Sequence, residues 1–249
     1  MSGQAREFLE SVRGALGRRP GAPEPDASTR LYTDEAPGEA AREIRRMMSE
    51  QADALLDALA ESAEAAAWRV RRVTSPEDAA DAVAEICRET GCSNVLRAEQ
   101  EIFDSVPVAD ALDSSGIRLD VMARSRGGAE ASYEDKRGRL KDAAFSADAG
   151  ITGADYGIAE TGTIVLKPRR GISRLVSLAP PRHIAIIRRG EVLPSLDELF
   201  TLERAEFLAG SRGGSSMNLI SGPSRTADIG ATTVEGIHGP LEAYLVIIG

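Results

Sequence analysis

The feature that most restricts this chain's fold is an alternation running from Trp68 to Met122. Three short stretches, Trp68 to Val73 with alternating character, Asn94 to Arg97 and Ile117 to Met122, read as strands, and helical patterns separate them. Two strands can pair in parallel only if a crossover of a dozen or more residues joins them, and a helix is the usual crossover. The expected fold is therefore α/β: three layers, with a mostly parallel sheet flanked by helices. The first of these helices is clearly marked. Ser75-Pro76-Glu77-Asp78 supplies an N-cap, a proline at the first helical position and acids against the positive end of the helix. Ala79, Val83, Ile86 and Cys87 fall on its inner face, and Gly91 stops it.

On the N-terminal side the pattern changes. Residues 2–16 predict an amphipathic helix carrying Phe8, Leu9, Val12 and Leu16. A stretch with Pro20, Pro23, Pro25 and Pro37 follows, which reads as a linker or an extended arm. Residues 38–66 give the longest helical pattern, with Ile44, Met48, Leu55 and Leu59 on one stripe. This suggests a helical extension and linker over 1–66 and an α/β domain over 67–249. Within that domain, 123–133 is rich in Gly, Ser and Arg and predicts a loop, and 134–147 a helix. Strands are expected at 175–178 and 183–187, a helix at 195–208, a buried strand at 217–220 and a last strand at 244–248.

The net charge of −9 argues against nucleic acid as a partner, because phosphate neutralisation needs a basic face. No apolar run approaches the ~18 residues of a membrane-spanning helix, and the N-terminus lacks the apolar core of a signal peptide. A cytoplasmic setting is the expectation, and two reduced thiols fit it. Those thiols, Cys87 and Cys92, are too few for an iron–sulfur cluster, which typically takes four. Both histidines lie far along the chain, so no metal site is expected here.

Chemistry concentrates in Gly150–Leu166, G-I-T-G-A-D-Y-G-I-A-E-T-G-T-I-V-L. Two strands joined by a tight turn at Thr161-Gly162 would present Glu160, with Thr161, Gly162 and Thr163 around it. A carboxylate beside hydroxyls and backbone N–H groups suits an acid, base or nucleophile, and equally a buried structural partner. A second stretch, Ser221-Gly222-Pro223-Ser224-Arg225-Thr226-Ala227-Asp228, leaves a strand through a forced turn. Ser221, Gly222, Ser224, Arg225, Thr226 and Asp228 there read either as an anion site or as an ordinary helix cap. A third, K-P-R-R-G-I-S-R, offers Arg169, Arg170 and Arg174 either to solvent or to an anion. His238, in I-H-G-P, is the preferred proton carrier, ahead of His183. Because open α/β sheets bind ligands at the carboxyl ends of their strands, Glu160, Arg225 and His238 are expected to line one cleft there.

Four motifs taken together, G-I-T-G-A-D-Y-G-I-A-E-T-G-T, P-P-R-H-I-A-I-I, S-G-P-S-R-T-A-D-I and G-I-H-G-P, resemble the LUD domain family. The likeness is specifically to its lactate-utilisation protein C group, and it runs over about residues 65–249. Gly230 stands where relatives often carry an acid. The resemblance implies a fold related to the NagB/RpiA/CoA-transferase-like superfamily. It implies a subunit that helps oxidise L-lactate to pyruvate beside two companion proteins. Those partners would hold the iron–sulfur clusters; this chain would hold no cofactor and would meet a small carboxylate substrate. By analogy with CoA transferases, whose nucleophile is a Glu beside a glycine, the resemblance favours Glu160 for chemistry. The alternatives are a free-standing acyl- or phosphoryl-handling enzyme, and a metabolite sensor or assembly factor. Whether copies of the chain associate into a homo-oligomer stays open.

Overall fold

The computed structural model describes Ser11 and residues 37–122, 133–169, 172–210, 216–227 and 233–249. Most of the expected helix over 2–16, the proline-rich arm, the loop over 123–132, Arg170 and Asp228 lie outside the described residues. The chain divides into residues 1–36 and Pro37–Gly249. The helical residues 37–65 thus belong to the α/β unit, so the division falls at Pro37 rather than at 66.

Six parallel strands form the main sheet: β1 (Arg69–Val73), β2 (Asn94–Ala98), β3 (Arg118–Met122), β4 (Ala149–Gly153), β7 (Arg182–Arg188) and β12 (Glu242–Ile248). Their order is β1-β12-β7-β4-β2-β3. The interior strands β12 and β7 are buried along most of their length, with apolar runs at their centres, because both their faces are covered. The edges carry charge instead, as R-V-R-R-V in β1 and R-L-D-V-M in β3, which discourages pairing with other chains. On one face, helix α3 (Pro76–Glu89) and the short α5 (Val108–Ser114) pack Val83, Ile86 and Leu112 onto Val95, Ile151, Ile184 and Val246. The α3 cap forms as expected, Ser75 Oγ accepting from the Asp78 N–H.

The opposite face carries α2 (Ala52–Ala65), α6 (Tyr133–Ser146), α7 (Leu175–Leu178) and a second sheet. That sheet is ordered β8-β5-β6-β9, from Val192–Leu193, Tyr156–Ile158, Thr163–Leu166 and Asn218–Ile220. Ile164 and Leu166 look inward to Ala185, Ile187 and Leu245. Ile158 and Val165 look outward to α1 (Pro37–Glu50) and α8 (Leu196–Leu208). Strict alternation along β6 thus serves two cores at once. A hairpin of β10 (Arg225–Ala227) and β11 (Thr233–Glu235) completes the described elements, with α4 (Ile102–Ser105).

Three expectations change. The strand expected to be buried at 217–220 is an edge strand, Asn218–Ile220, with Leu219 exposed. The 38–66 helix is broken at Gln51, giving α1 and α2. Leu175–Leu178 is a helical turn, not a strand: Ser177 and Ala179 donate back to Arg174 and Leu175. The reason is Gly150 on β4. A Cβ there would lie 1.7 Å from the Val176 carbonyl oxygen, so the missing side chain lets the turn sit directly on the sheet.

Candidate functional site

The β5–β6 turn carries Glu160, Thr161 and Gly162 and is held on three sides. The Glu160 N–H donates to Pro194 O at 3.0 Å, and Ser62 Oγ on α2 donates to Ala159 O at 2.6 Å. The indole N–H of Trp68 donates to Gly162 O at 3.0 Å. Gly162 has φ +63, and a Cβ on it would lie 2.5 Å from the Ala63 nitrogen. Only glycine allows this turn to lie against the end of α2.

Trp68 is delivered there by the way α2 stops. The Trp68 N–H bonds to Ala63 O and the Ala67 N–H to Glu64 O, a Schellman ending, with Ala67 at φ +67 where glycine is usual. The Trp68 ring meets that of His183, 5.9 Å away. His183 is fully buried, with Nε2 2.8 Å from Thr152 Oγ1. Burial lowers its pKa to about 3, so the ring is neutral at physiological pH. His183 is therefore a neutral core group beneath the turn.

From the turn a chain of hydroxyls leads outward. Thr161 Oγ1 lies 2.7 Å from Thr163 Oγ1, which lies 2.7 Å from Ser221 Oγ. Thr163 is buried, while Thr161 and Ser221 are exposed. Gly222, at φ +92, presses against the Ala66 carbonyl. Next in the chain, Ser224 binds the I-H-G-P stretch: its N–H donates to Pro240 O, and its Oγ accepts from the His238 N–H at 3.3 Å. The Leu241 N–H donates to Pro181 O and ties this stretch to the start of β7.

Three of the sequence motifs therefore do converge, but at the edge opposite to the one expected. Trp68, Pro181 and Leu241 immediately precede β1, β7 and β12, so the gathering lies at the amino ends of the parallel strands. The reason is the return of the chain through β5, which runs back from the carboxyl end of β4 before turning at Glu160. Hydroxyls and backbone amides make the joints, and the Glu160, Arg225 and His238 side chains are exposed around them. Thr226 lies on β10 opposite Val234, in a hairpin rather than a helix cap. Arg174 opens α7, whose far end, Leu178, approaches Gly239.

The basic turn has a structural use. Arg169 pairs with Asp155 at 2.7 Å. The Lys167 ammonium pairs with Glu203 at 2.5 Å and Glu206 at 3.1 Å; burial alone would lower its pKa, but the two carboxylates raise it and keep it charged. Nearby, at the carboxyl edge, a cleft of about 460 Å³ opens between Arg45, Ser49, Tyr156, Arg189 and Leu202. Its walls come from α1, the start of α2, β5, the β7–β8 turn and α8, and no single motif marks it in the sequence.

The LUD domain family model matches residues 56–248, nearly the whole of the described unit. The chain belongs to the LUD domain family. This LUD domain protein is 31% identical over 250 residues to the lactate utilization protein C of Halalkalibacterium halodurans, covering 98% of each chain. It is 30% identical over 245 residues to the uncharacterized protein YkgG of Escherichia coli, covering 97% of this chain and 96% of that one. A lactate utilization protein C of Bacillus pumilus is 30% identical over 70% of both chains. Among solved structures, a DUF162 family protein from Deinococcus radiodurans shares the LUD domain's fold, with TM-score 0.50 and 18% identity over 80% of this chain and 98% of that one. Among the described residues, no helix is long and apolar enough to cross a membrane.

Proposed function

We propose that this LUD domain protein serves lactate utilisation, as the subunit without a redox centre in a complex that oxidises L-lactate to pyruvate. Similarity to a lactate utilization protein C along 98% of both chains carries this reading. The edge built from Thr161, Thr163, Ser221 and Arg225 supports it, because it offers hydroxyls and a guanidinium to a small carboxylate. In this reading Arg225 and the Ser221–Ser224 loop take the lactate carboxylate. Glu160 and His238 stand over the 2-hydroxyl, where one of them accepts its proton as the carbon is oxidised. The electrons pass to iron–sulfur clusters on partner subunits; this chain orients the substrate.

The test is reconstitution. The purified chain alone should not oxidise L-lactate, and adding the proteins encoded beside it should restore pyruvate formation. In that mixture Glu160→Gln should lower the rate by about 10²–10⁴-fold, the usual worth of a general acid or base. Its melting temperature should match the wild type, because Glu160 is exposed. Full activity in Glu160→Gln would remove the carboxylate from the chemistry. Lactate oxidation by the chain alone would overturn the division of labour. Acyl or phosphoryl transfer without partners would favour a free-standing enzyme instead.

A further inference from the structure

The same helix ending that presents Trp68 occurs a second time, and there it brings two thiols together. At the end of α3 the Cys92 N–H donates to Cys87 O at 2.8 Å and the Gly91 N–H to Arg88 O at 3.2 Å, with Gly91 at φ +69. This is again a Schellman motif, in which the side chains three positions before the cap and two after it meet. At α2 those positions hold Ala63 and Trp68; at α3 they hold Cys87 and Cys92. Both cysteines lie in the same buried cluster. A disulfide needs Cβ atoms about 3.5–4.5 Å apart, so the side-chain meeting that this helix ending favours is what such a bond requires.

The surroundings favour reaction at one sulfur. Thr90 Oγ1 lies 3.3 Å from Cys92 Sγ. The neighbouring Cys87, with the positive field of Arg182, draws the Cys92 thiol below its ordinary range, while the same neighbour and burial push Cys87 up. Cys92 is therefore the more readily ionised of the two, and the thiolate is the form that reacts with oxidants. Cys92 is also the more accessible residue, at 6% exposure against 0% for Cys87. Its position is fixed by Asp148, which accepts from the N–H groups of Ser93 and Asn94 at 2.8 and 2.9 Å.

We propose that Cys87 and Cys92 form a peroxide-reactive dithiol that closes to an intramolecular disulfide. The Cys92 sulfur attacks one peroxide oxygen and the O–O bond breaks. This leaves a sulfenic acid on Cys92, and the other oxygen departs as water with the thiol proton. The Cys87 sulfur then attacks the Cys92 sulfur; the S–S bond forms, the S–O bond breaks and a second water leaves with the Cys87 proton. Two thiols lose two electrons and two protons, and the peroxide accepts them.

The test treats the folded full-length protein with hydrogen peroxide and maps it by mass. Trypsin cuts after Arg72, Arg88 and Arg97, so the two cysteines fall on separate peptides, 73–88 and 89–97. The expected result is the loss of two hydrogens from the intact chain, with these peptides joined until a reductant is added. In Cys87→Ala, dimedone should trap a sulfenic acid on Cys92. Oxygen added to either cysteine without a link would overturn the proposal. So would a link that forms only in denaturant or only between chains, or no reaction at all. The wild-type map decides the matter even if Cys87→Ala does not fold.

Discussion

Ala67 is the described non-glycine residue that takes a left-handed backbone, and it does so one residue before the indole that holds the candidate turn. The conformation costs an L-residue roughly 1–2 kcal/mol, of which glycine would recover part while losing some to its freer unfolded state. Ala67→Gly should therefore stabilise the protein by about 0.5–1 kcal/mol, read as a rise in the denaturation midpoint at constant slope. His183 gives a prediction of opposite kind. It is neutral when folded down to about pH 3, but when unfolded it takes a proton below about 6.5. The unfolded state thus binds the extra proton, and stability falls as pH drops through that window. The contribution is about 1.4 kcal/mol for each pH unit below 6.5, fading near pH 3. Unfolding measured between pH 6 and 4 should show this slope in the wild type and about one proton less in His183→Asn.

At the level of elements, the β5–β6 turn depends on one glycine. Gly162→Ala sets a Cβ against the backbone of Ala63 in a φ region already unfavourable to alanine. Either the turn leaves α2 or the helix end yields, with loss of the Trp68 hydrogen bond in the first case. A destabilisation of about 2–4 kcal/mol is expected, combining positive-φ strain with overpacking, and a shifted Trp68 fluorescence should report it. How much of this was legible beforehand differs from element to element. Helix α3 could be read from Ser75, Pro76 and Gly91 because caps are local chemistry. The turn at Thr161-Gly162 could be read for the same reason. Leu175–Leu178 could not, since four apolar residues fit either period and Gly150, far away in sequence, decides between them. The placement of Glu160 at the amino edge was also hidden, because it depends on β5 pairing with β8 rather than continuing the main sheet. Motif spacing does show which residues gather, but the edge they share is a matter of topology.

For the whole molecule, the decisive strand is β12. It lies between β1 and β7 and pairs with both along most of its length. Removing residues 242–249 should therefore not trim an edge but divide the sheet, leaving β1 without a partner and Leu245 and Ile247 missing from the core under α2. Such a truncation should lose cooperative unfolding altogether, measured by circular dichroism against denaturant.

Strand β1 is made early and β12 last, which sets a timetable for the nascent chain. When the ribosome releases β1, its sheet neighbour among the described residues is more than 160 residues from being synthesised, as the pairing Arg69↔Tyr244 requires. Domains that fold during synthesis need their closing contacts outside the exit tunnel. Here the contact that closes the sheet comes after all the other strands of that sheet, so β2, β3, β4 and β7 can assemble while β1 and the Trp68 anchor wait for β12.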